Sequence, residues 1–269
     1  MQAVIPAAGF GTRFLPWSKA VPKEMLPVGA LPVIHHVAAE AVAAGCTKIV
    51  IVLAQGKEAI KRYFDPDPAL EAHLQAKDQG QLLDALRRLQ EAATFEYVYQ
   101  PVMRGLGDAV RCGAEQLAGL PFAVLLGDTI IRGASPLRAM WADCRATGLG
   151  SVAVQPVAAE RAVRYGVCGG RETAPQVYAL EQMVEKPPAE AVPGMRLLDG
   201  RTVHMAFAAR YVLPAEITAV LAATPAGRNN EIQLTDAMAE LLRTRGFHAH
   251  LLTGTRLDIG TPEGLKSCW

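Results

Sequence analysis

Directly after the short apolar stretch AVIP (residues 3–6), the chain reads GFGTRFLPWSKAVPKEMLP from Gly9 to Pro27. Two glycines, Arg13, Lys19 and Lys23 share this one loop. Glycine lets another group approach the backbone closely, and the cations give that group a negative sign. Prolines at 16, 22 and 27 stiffen the segment. A stiff backbone with fixed cations suits a triphosphate: amides turn towards phosphate oxygens while Arg13 and Lys23 neutralise charge. Two common phosphate loops are excluded. Phe14 stands where the third glycine of GxGxxG would be, and no GKS or GKT occurs, so neither a dinucleotide turn nor a Walker A loop is present. A lone GxG would be only a strand-to-helix turn with cations on its rim. The continuation R-x(5)-K-x(3)-K is what points to an anion site.

The elements around the loop must hold it in place. AVIP is a strand. Pro32 can open a helix in its first turn, with Val33, Ile34, Val37, Ala38, Ala41 and Val42 as the apolar stripe and Gly45 as the stop. KIVIVLA (48–54) is a continuous apolar run, as in a strand covered on both faces. A charged helical stretch (57–91), the strand FEYVYQ (95–100), a helix (107–119), the strand FAVLLGD (122–128), a helix (135–148) and the strand SVAVQPV (151–157) follow. This alternation predicts βαβ units and an α/β fold with a mostly parallel sheet. Ligands in such sheets sit at the carboxyl ends of the strands, where the opening loop, Gln100 and Asp128 all fall. In the second half, VYALEQMVEKP (177–187) and TVHMAFAARYVL (202–213) read as strands. Asn230 reads as the cap of a helix EIQLTDAMAELLRTR, with Gln233 completing the box and Gly246 ending it. HAHLLT (248–253) and RLDIG (256–260) complete the pattern.

Composition narrows the function classes. The 269 residues are 51% hydrophobic and 20% charged, enough for a buried core. A net charge of +1 gives no bulk field for nucleic acid or an anionic membrane, so neither is expected as a partner. Five scattered cysteines without CxxC spacing predict reduced thiols and a cytoplasmic protein. The N-terminus has no basic region followed by a long apolar one, so no secretory signal is expected, and the aliphatic runs are too short to span a bilayer. His35 and His36 are helix neighbours that point apart and cannot share a metal.

The segment PAAGFGTRFLPWSKAVPKEMLPVGALP resembles the signature of bacterial UTP–glucose-1-phosphate uridylyltransferases, within the sugar-phosphate nucleotidyltransferase family. QPVMRGLGDAV (100–110), LLGD (125–128), RYGVCG (164–169), VEKP (184–187), RYVL (210–213), NEIQLTDA (230–237) and LDIG (257–260) match in order, over about residues 2–264. The resemblance implies a Rossmann-like sheet flanked by helices, of the nucleotide-diphospho-sugar transferase type. It implies a single domain over 1–269, with a nucleotide-binding part at about 1–158 and an added sugar-binding portion at about 159–269. The implied reaction joins UTP and glucose 1-phosphate into UDP-glucose and pyrophosphate with Mg²⁺. A thymidylyl- or other nucleotidyltransferase and a non-catalytic sugar-nucleotide sensor remain as alternatives. The intact set Arg13, Lys23, Asp128 and Lys186 weighs against the sensor.

Residue by residue, the resemblance implies that Ala8, Gly9, Gly11, Thr12, Arg13, Lys23, Gln100 and Gly105 bind the nucleotide. Gln100 and the backbone of Ala8, Gly9 and Gly105 would meet uracil, since an amide side chain both donates and accepts. Tyr165, Gly166, Glu185 and Lys186 would hold the sugar phosphate. Arg13, Lys23 and Lys186 would be catalytic. Asp128 and Asp258 would hold the metal; each is otherwise an ordinary turn residue. Glu185 and Lys186 would point to opposite faces of a regular strand, and local twist is needed to bring both into one pocket. Asp236 is expected to order its helix rather than react. Ala209 stands where the family has glycine, and 188–208 is longer than usual. The resemblance also implies a homo-oligomer; members of the family continue past the position of Trp269 into a helical segment used in subunit contacts.

Overall fold

A computed structural model describes residues 1–268. The opening strand β1 (Gln2–Pro6) leads into the loop, whose end forms the small hairpin β2 (Pro27–Val28) and β3 (Leu31–Pro32). Helix α1 (Val33–Ala43) follows, with Pro32 just outside it in an extended conformation rather than in its first turn. Strand β4 (Lys48–Leu53) has residues 49–53 buried, which is why it is apolar throughout. The charged stretch after it is helical, as expected, and folds into three helices: α2 (Glu58–Phe64), α3 (Pro68–Ala76) and α4 (Asp84–Ala92). Pro66 and Pro68 force the first break, and Asp67 caps α3 by accepting from the amide of Leu70 at 3.0 Å.

Then come β5 (Thr94–Tyr99), α5 (Leu106–Ala114), β6 (Phe122–Leu125), β7 (Thr129–Arg132) and α6 (Leu137–Thr147), which Gly148 ends at φ +73°. The second half comprises β8 (Gly150–Val157), α7 (Ala159–Ala162), β9 (Gly166–Ala174), β10 (Val177–Glu185), β11 (Met195–Arg196) and β12 (Thr202–Leu213). It closes with α8 (Ile217–Ala223), α9 (Leu234–Arg245), β13 (Phe247–Leu251), β14 (Thr255–Asp258) and α10 (Pro262–Lys266).

One sheet of ten strands runs through the molecule in the order β11-β9-β10-β13-β8-β12-β6-β1-β4-β5. The fold is α/β, as expected, but the sheet is mixed rather than mostly parallel. β5, β4, β1 and β6 are parallel neighbours. Beyond them β12 runs antiparallel to both β6 and β8, and β9 antiparallel to β10. The reason lies in the connections. Only Pro175 and Gln176 separate β9 from β10, and two residues can join only an antiparallel pair. The long stretch after Lys186 adds the edge strand β11, which pairs with both β9 and β12.

The sheet buries both faces. Val4, Val50, Val52 and Val124 pack on one side with α5 and α9, whereas Ala3, Ile5, Ile49, Ile51 and Leu125 pack on the other with α1 and α6. A separate ribbon, β7 with β14, pairs Thr129 with Asp258. That register carries the C-terminal LDIG segment to the end of β6.

Candidate active site

Two hollows open beyond the carboxyl ends of β1, β5 and β6, and they share Leu106, Leu126 and Asp128 as a common wall. Ala8, Gly9, Gly11, Thr12, Lys23, Gln100 and Gly105 line the first. Tyr165, Gly166, Glu185 and Asp258 line the second, and so does Arg13. Of the residues expected at the nucleotide, Arg13 is thus the one that faces the other hollow, and its Nη1 donates to the carbonyl of Gly260 at 3.4 Å.

In the first hollow, Gly105 begins α5 at φ +96°. A Cβ there would lie 2.7 Å from that of Glu231 and 2.9 Å from the carbonyl oxygen of Ile232, so only glycine fits. The amide of Gly107 donates to Ile232 O at 2.8 Å, and the amide of Ile232 donates to Arg104 O at 2.7 Å. This pairing keeps 231–233 out of helix α9. Asn230 is therefore not the helix cap: it has φ +58°, and Gln233 occupies the cap position. Behind the hollow, Gln100 donates through Nε2 to Asp108 Oδ2 at 2.8 Å and to Gly105 O at 3.3 Å.

Two lysines, Lys23 in the loop and Lys57 after β4, are held by carboxylates. Lys23 Nζ lies 2.5 Å from Asp128 Oδ2. Burial works against both charges, but each outweighs it for the other: Asp128 and Glu24 raise the lysine pKa, and Lys23 holds the Asp128 carboxyl below its usual range. Glu24 turns inward and is 1% exposed. Both its oxygens accept from Lys57 Nζ, at 3.0 and 2.9 Å, and Lys57 also donates to Ala7 O at 2.6 Å. One buried ammonium thus ties the end of β1 to the KEM turn. Burial pushes Glu24 up and Lys57 down, each towards its neutral form.

In the second hollow, Glu185 Oε2 accepts from Thr235 Oγ1 at 2.7 Å. Gly166 is required opposite it, because a Cβ would stand 2.7 Å from the Phe207 ring and 2.9 Å from Glu185 Oε2. Lys186 adopts φ +46°, a left-handed turn that breaks the alternation of β10. Its Nζ comes to 3.3 Å from Glu185 Oε1, so the two neighbours share one side, with the Lys186 side chain at the exposed rim. Arg256 reaches across: it donates to Asp258 Oδ2 at 2.8 Å and to Phe207 O at 3.1 Å, and its guanidinium sits 5.3 Å from the centre of the Tyr165 ring. Its Nε is buried and has no partner among the described residues.

Asp128 and Asp258 converge on Gly260. A Cβ at that glycine would lie 3.0 Å from Asp258 Oδ1 and 3.2 Å from Asp128 Oδ2, so the missing side chain leaves a gap between two hard oxygen donors. Among the described residues no group of three or more His, Cys, Asp or Glu could hold a metal by itself. Two carboxylates without a full protein cage suit Mg²⁺, which completes its shell with waters and substrate phosphates.

Behind this wall Arg210 is 0% exposed. It donates to both oxygens of Glu40 at 2.9 and 2.6 Å, to Ala209 O at 2.9 Å and to Thr129 O at 2.8 Å. The guanidinium thereby braces Ala209, which is left-handed at φ +61° within a bulge of β12 and lines the second hollow.

Sequence reasoning misses Lys57, Asp108, Arg256 and the Arg210–Glu40 pair. Asp108 and Arg210 lie inside the matched segments QPVMRGLGDAV and RYVL, and that is the signal by which they could be found. Lys57 has no local signal, since a lysine after a strand is ordinarily solvated.

The chain matches the nucleotidyl transferase family over residues 2–268. It is 39% identical over 264 residues to a UTP–glucose-1-phosphate uridylyltransferase of Bacillus subtilis, covering 98% of this chain and 86% of the relative. A UDP-glucose pyrophosphorylase solved with UDP-glucose superposes with a TM-score of 0.86 at 35% identity, covering 99% of this chain and 96% of that one. The UTP-bound enzyme of Acinetobacter baumannii gives 0.87 at 34% identity, covering 99% and 91%. The similarity therefore spans sheet, loop and both hollows rather than one motif, and the chain belongs to the nucleotidyl transferase family, among the UTP–glucose-1-phosphate uridylyltransferases.

Proposed function

We propose that this chain transfers a uridylyl group from UTP to glucose 1-phosphate, giving UDP-glucose and pyrophosphate, with Mg²⁺ required. The observation that carries the reading is the shared wall: two hollows, one lined by the cationic glycine loop and one by sugar-type polar groups, meet at Asp128. A phosphate oxygen of the sugar phosphate attacks the α-phosphorus, and the bond from that phosphorus to the bridging oxygen of pyrophosphate breaks. The nucleophile is already an anion, so no general base is needed, and alignment with charge stabilisation does the catalysis.

In this reading Ala8, Gly9 and Gly105 offer backbone groups to the base beside Gln100, and Gly11, Thr12 and Lys23 hold the triphosphate. Arg13, facing the second hollow, sits where the two reactants would meet. Glu185 accepts sugar hydroxyls next to Tyr165 and Gly166. Lys186 and Arg256 neutralise the sugar phosphate. Asp128 and Asp258 would hold Mg²⁺, which when bound neutralises phosphate charge. The nucleotide part at about 1–158 and the sugar part at about 159–269 act as one domain. The family resemblance supports a homo-oligomer, and the scattered cysteines without CxxC spacing support a cytoplasmic setting; among the described residues no helix is long and apolar enough to cross a membrane.

A pyrophosphate-release assay over common nucleoside triphosphates and sugar 1-phosphates tests the reading. UTP with glucose 1-phosphate should be the best pair, and EDTA should stop turnover. Full turnover in EDTA would remove the metal assignment, and inactivity with every pair would favour a sensor.

A further inference from the structure

The side-chain amide of Gln100 has two ends that hydrogen-bond in opposite senses, a donating NH₂ and an accepting carbonyl. If Gln100 meets the base, as proposed above, the end that faces outward decides which pyrimidine edge is accepted. Nε2 lies 2.8 Å from Asp108 Oδ2 and 3.3 Å from Gly105 O. A backbone carbonyl can only accept. Asp108 can only accept as well, because it is ionised. Burial works against its charge, but hydrogen bonds from Gln100 and Arg111 and the nearby Arg104 outweigh that and hold its pKa below the usual carboxylate range. A flipped amide would set its oxygen against two oxygens. The NH₂ is therefore turned inward with both hydrogens taken. Oε1 has no partner among the described residues, and it is the polar atom left for the hollow.

Asp108 is itself immobilised. It is 1% exposed, and its oxygens divide their work. Oδ1 accepts from Arg111 Nη2 at 3.0 Å and Arg104 Nη2 at 3.1 Å, leaving Oδ2 for Gln100. An arrangement held by two arginines on one side cannot easily rotate to suit a different ligand.

We propose that Asp108 is a positioning residue that sets the base specificity of this site: by holding the Gln100 amide with its oxygen outward, it selects a pyrimidine carrying hydrogen on N3 and rejects cytosine, whose N3 only accepts. Uracil and thymine share that N3–H, so this device separates them from cytosine and not from each other.

The experiment compares kcat/KM for UTP and CTP in the wild type, Asp108→Asn and Arg111→Ala. Asparagine has the same shape but can present either an NH₂ or an oxygen to Gln100, which frees the amide to turn. The UTP/CTP ratio should fall roughly 10–100-fold in Asp108→Asn, the size of one misplaced hydrogen bond at a buried site. Arg111→Ala removes an ion pair from Asp108 and leaves the Gln100 contact, so the ratio should hold even if both rates drop. An unchanged ratio in Asp108→Asn would overturn the proposal. So would an equal loss in Arg111→Ala, because Asp108 would then act through packing alone. Should Asp108→Asn fail to fold, equilibrium binding of N3-methyl-UTP to the wild type decides. Affinity well below that of UTP is expected, and equal affinity would overturn the outward oxygen. A wild type using CTP as readily as UTP would instead overturn the reading of Gln100 itself, in an arm that involves no variant.

Discussion

Lys23 Nζ and Asp128 Oδ2 stand 2.5 Å apart at the wall common to the two hollows. The carboxylate beside which a divalent cation would sit is thus already paired with a lysine. Asp128→Asn keeps the side-chain size but removes the charge that answers both. Turnover should fall by about 100-fold or more with the fold retained, given about 1.5–3 kcal/mol for each charge-assisted hydrogen bond removed. Asp258→Asn, whose partner Arg256 remains, should lose less. Steady-state rates with circular dichroism of both variants check this, and a fully active Asp128→Asn would refute it.

Lys57 is buried between Glu24 and the carbonyl of Ala7. Lys57→Met leaves the buried Glu24 carboxyl without its partner, so that it is either an unpaired charge or pushed further towards its neutral form, and this should cost about 3–5 kcal/mol of stability. It should also weaken UTP binding, because the Ala7–Gly9 turn and the Lys23 turn lose their common tie. The double variant Glu24→Gln/Lys57→Met should recover most of the stability and little of the affinity. Urea unfolding and UTP titration separate the two, and additive stability losses would disprove the coupling.

Asp108 has a pKa below its ordinary value of 3.8. A carboxyl depressed in the folded state adds stability above its unfolded pKa and loses it as pH falls through the folded one. The wild type should therefore exceed Asp108→Asn in stability near neutral pH, and the gap should close as pH drops below 3.8. Chemical denaturation along a pH series reads this directly. A gap of the same size in strong acid would mean that Asp108 stabilises by shape and not by charge.

Ala209 holds φ +61° while 4% exposed. A left-handed alanine costs about 1–2 kcal/mol, and glycine gives back about 0.5–1 kcal/mol through its freer unfolded chain. Ala209→Gly should thus be neutral to about 1 kcal/mol more stable, raising Tm by up to roughly 2–4 °C for a chain of this size. Because Ala209 lines the second hollow, proposed above to take the sugar phosphate, KM for that substrate should stay or fall. A Tm several degrees lower would show that the methyl packs better than the strain costs.

Local patterns are legible wherever neighbours decide the conformation. The strand 202–213 appears with the boundaries read from its residues, and KIVIVL is buried on both faces as its apolar run requires. The glycine and cation loop, Gln100 and Asp128 come together because all follow parallel strands, a consequence of strand order within βαβ units. Neighbours do not decide the direction of distant pairings, and there the sequence is silent. The sheet is mixed because short turns in the second half impose antiparallel contacts. Residues 231–233 stay outside helix α9, against a good helical pattern, because the backbone of Ile232 bonds to Arg104 and Gly107 and the carbonyl of Glu231 accepts from Gly227.

The α/β class follows from the alternation of strand and helix patterns in the amino-acid sequence, and the family and most of the residues around the cleft follow from the resemblance its short motifs carry. How those residues work together is a matter of tertiary structure. Thr129 pairs with Asp258 in a ribbon whose register no local signal specifies, and that register brings the second carboxylate to Asp128. Burial turns Lys57 from a solvated lysine into a tie, and it turns the amide of Gln100 from a two-way group into an acceptor. Both are effects of a low-dielectric interior, where an unpaired donor or charge is costly enough to dictate orientation, and burial exists only once the whole chain has folded.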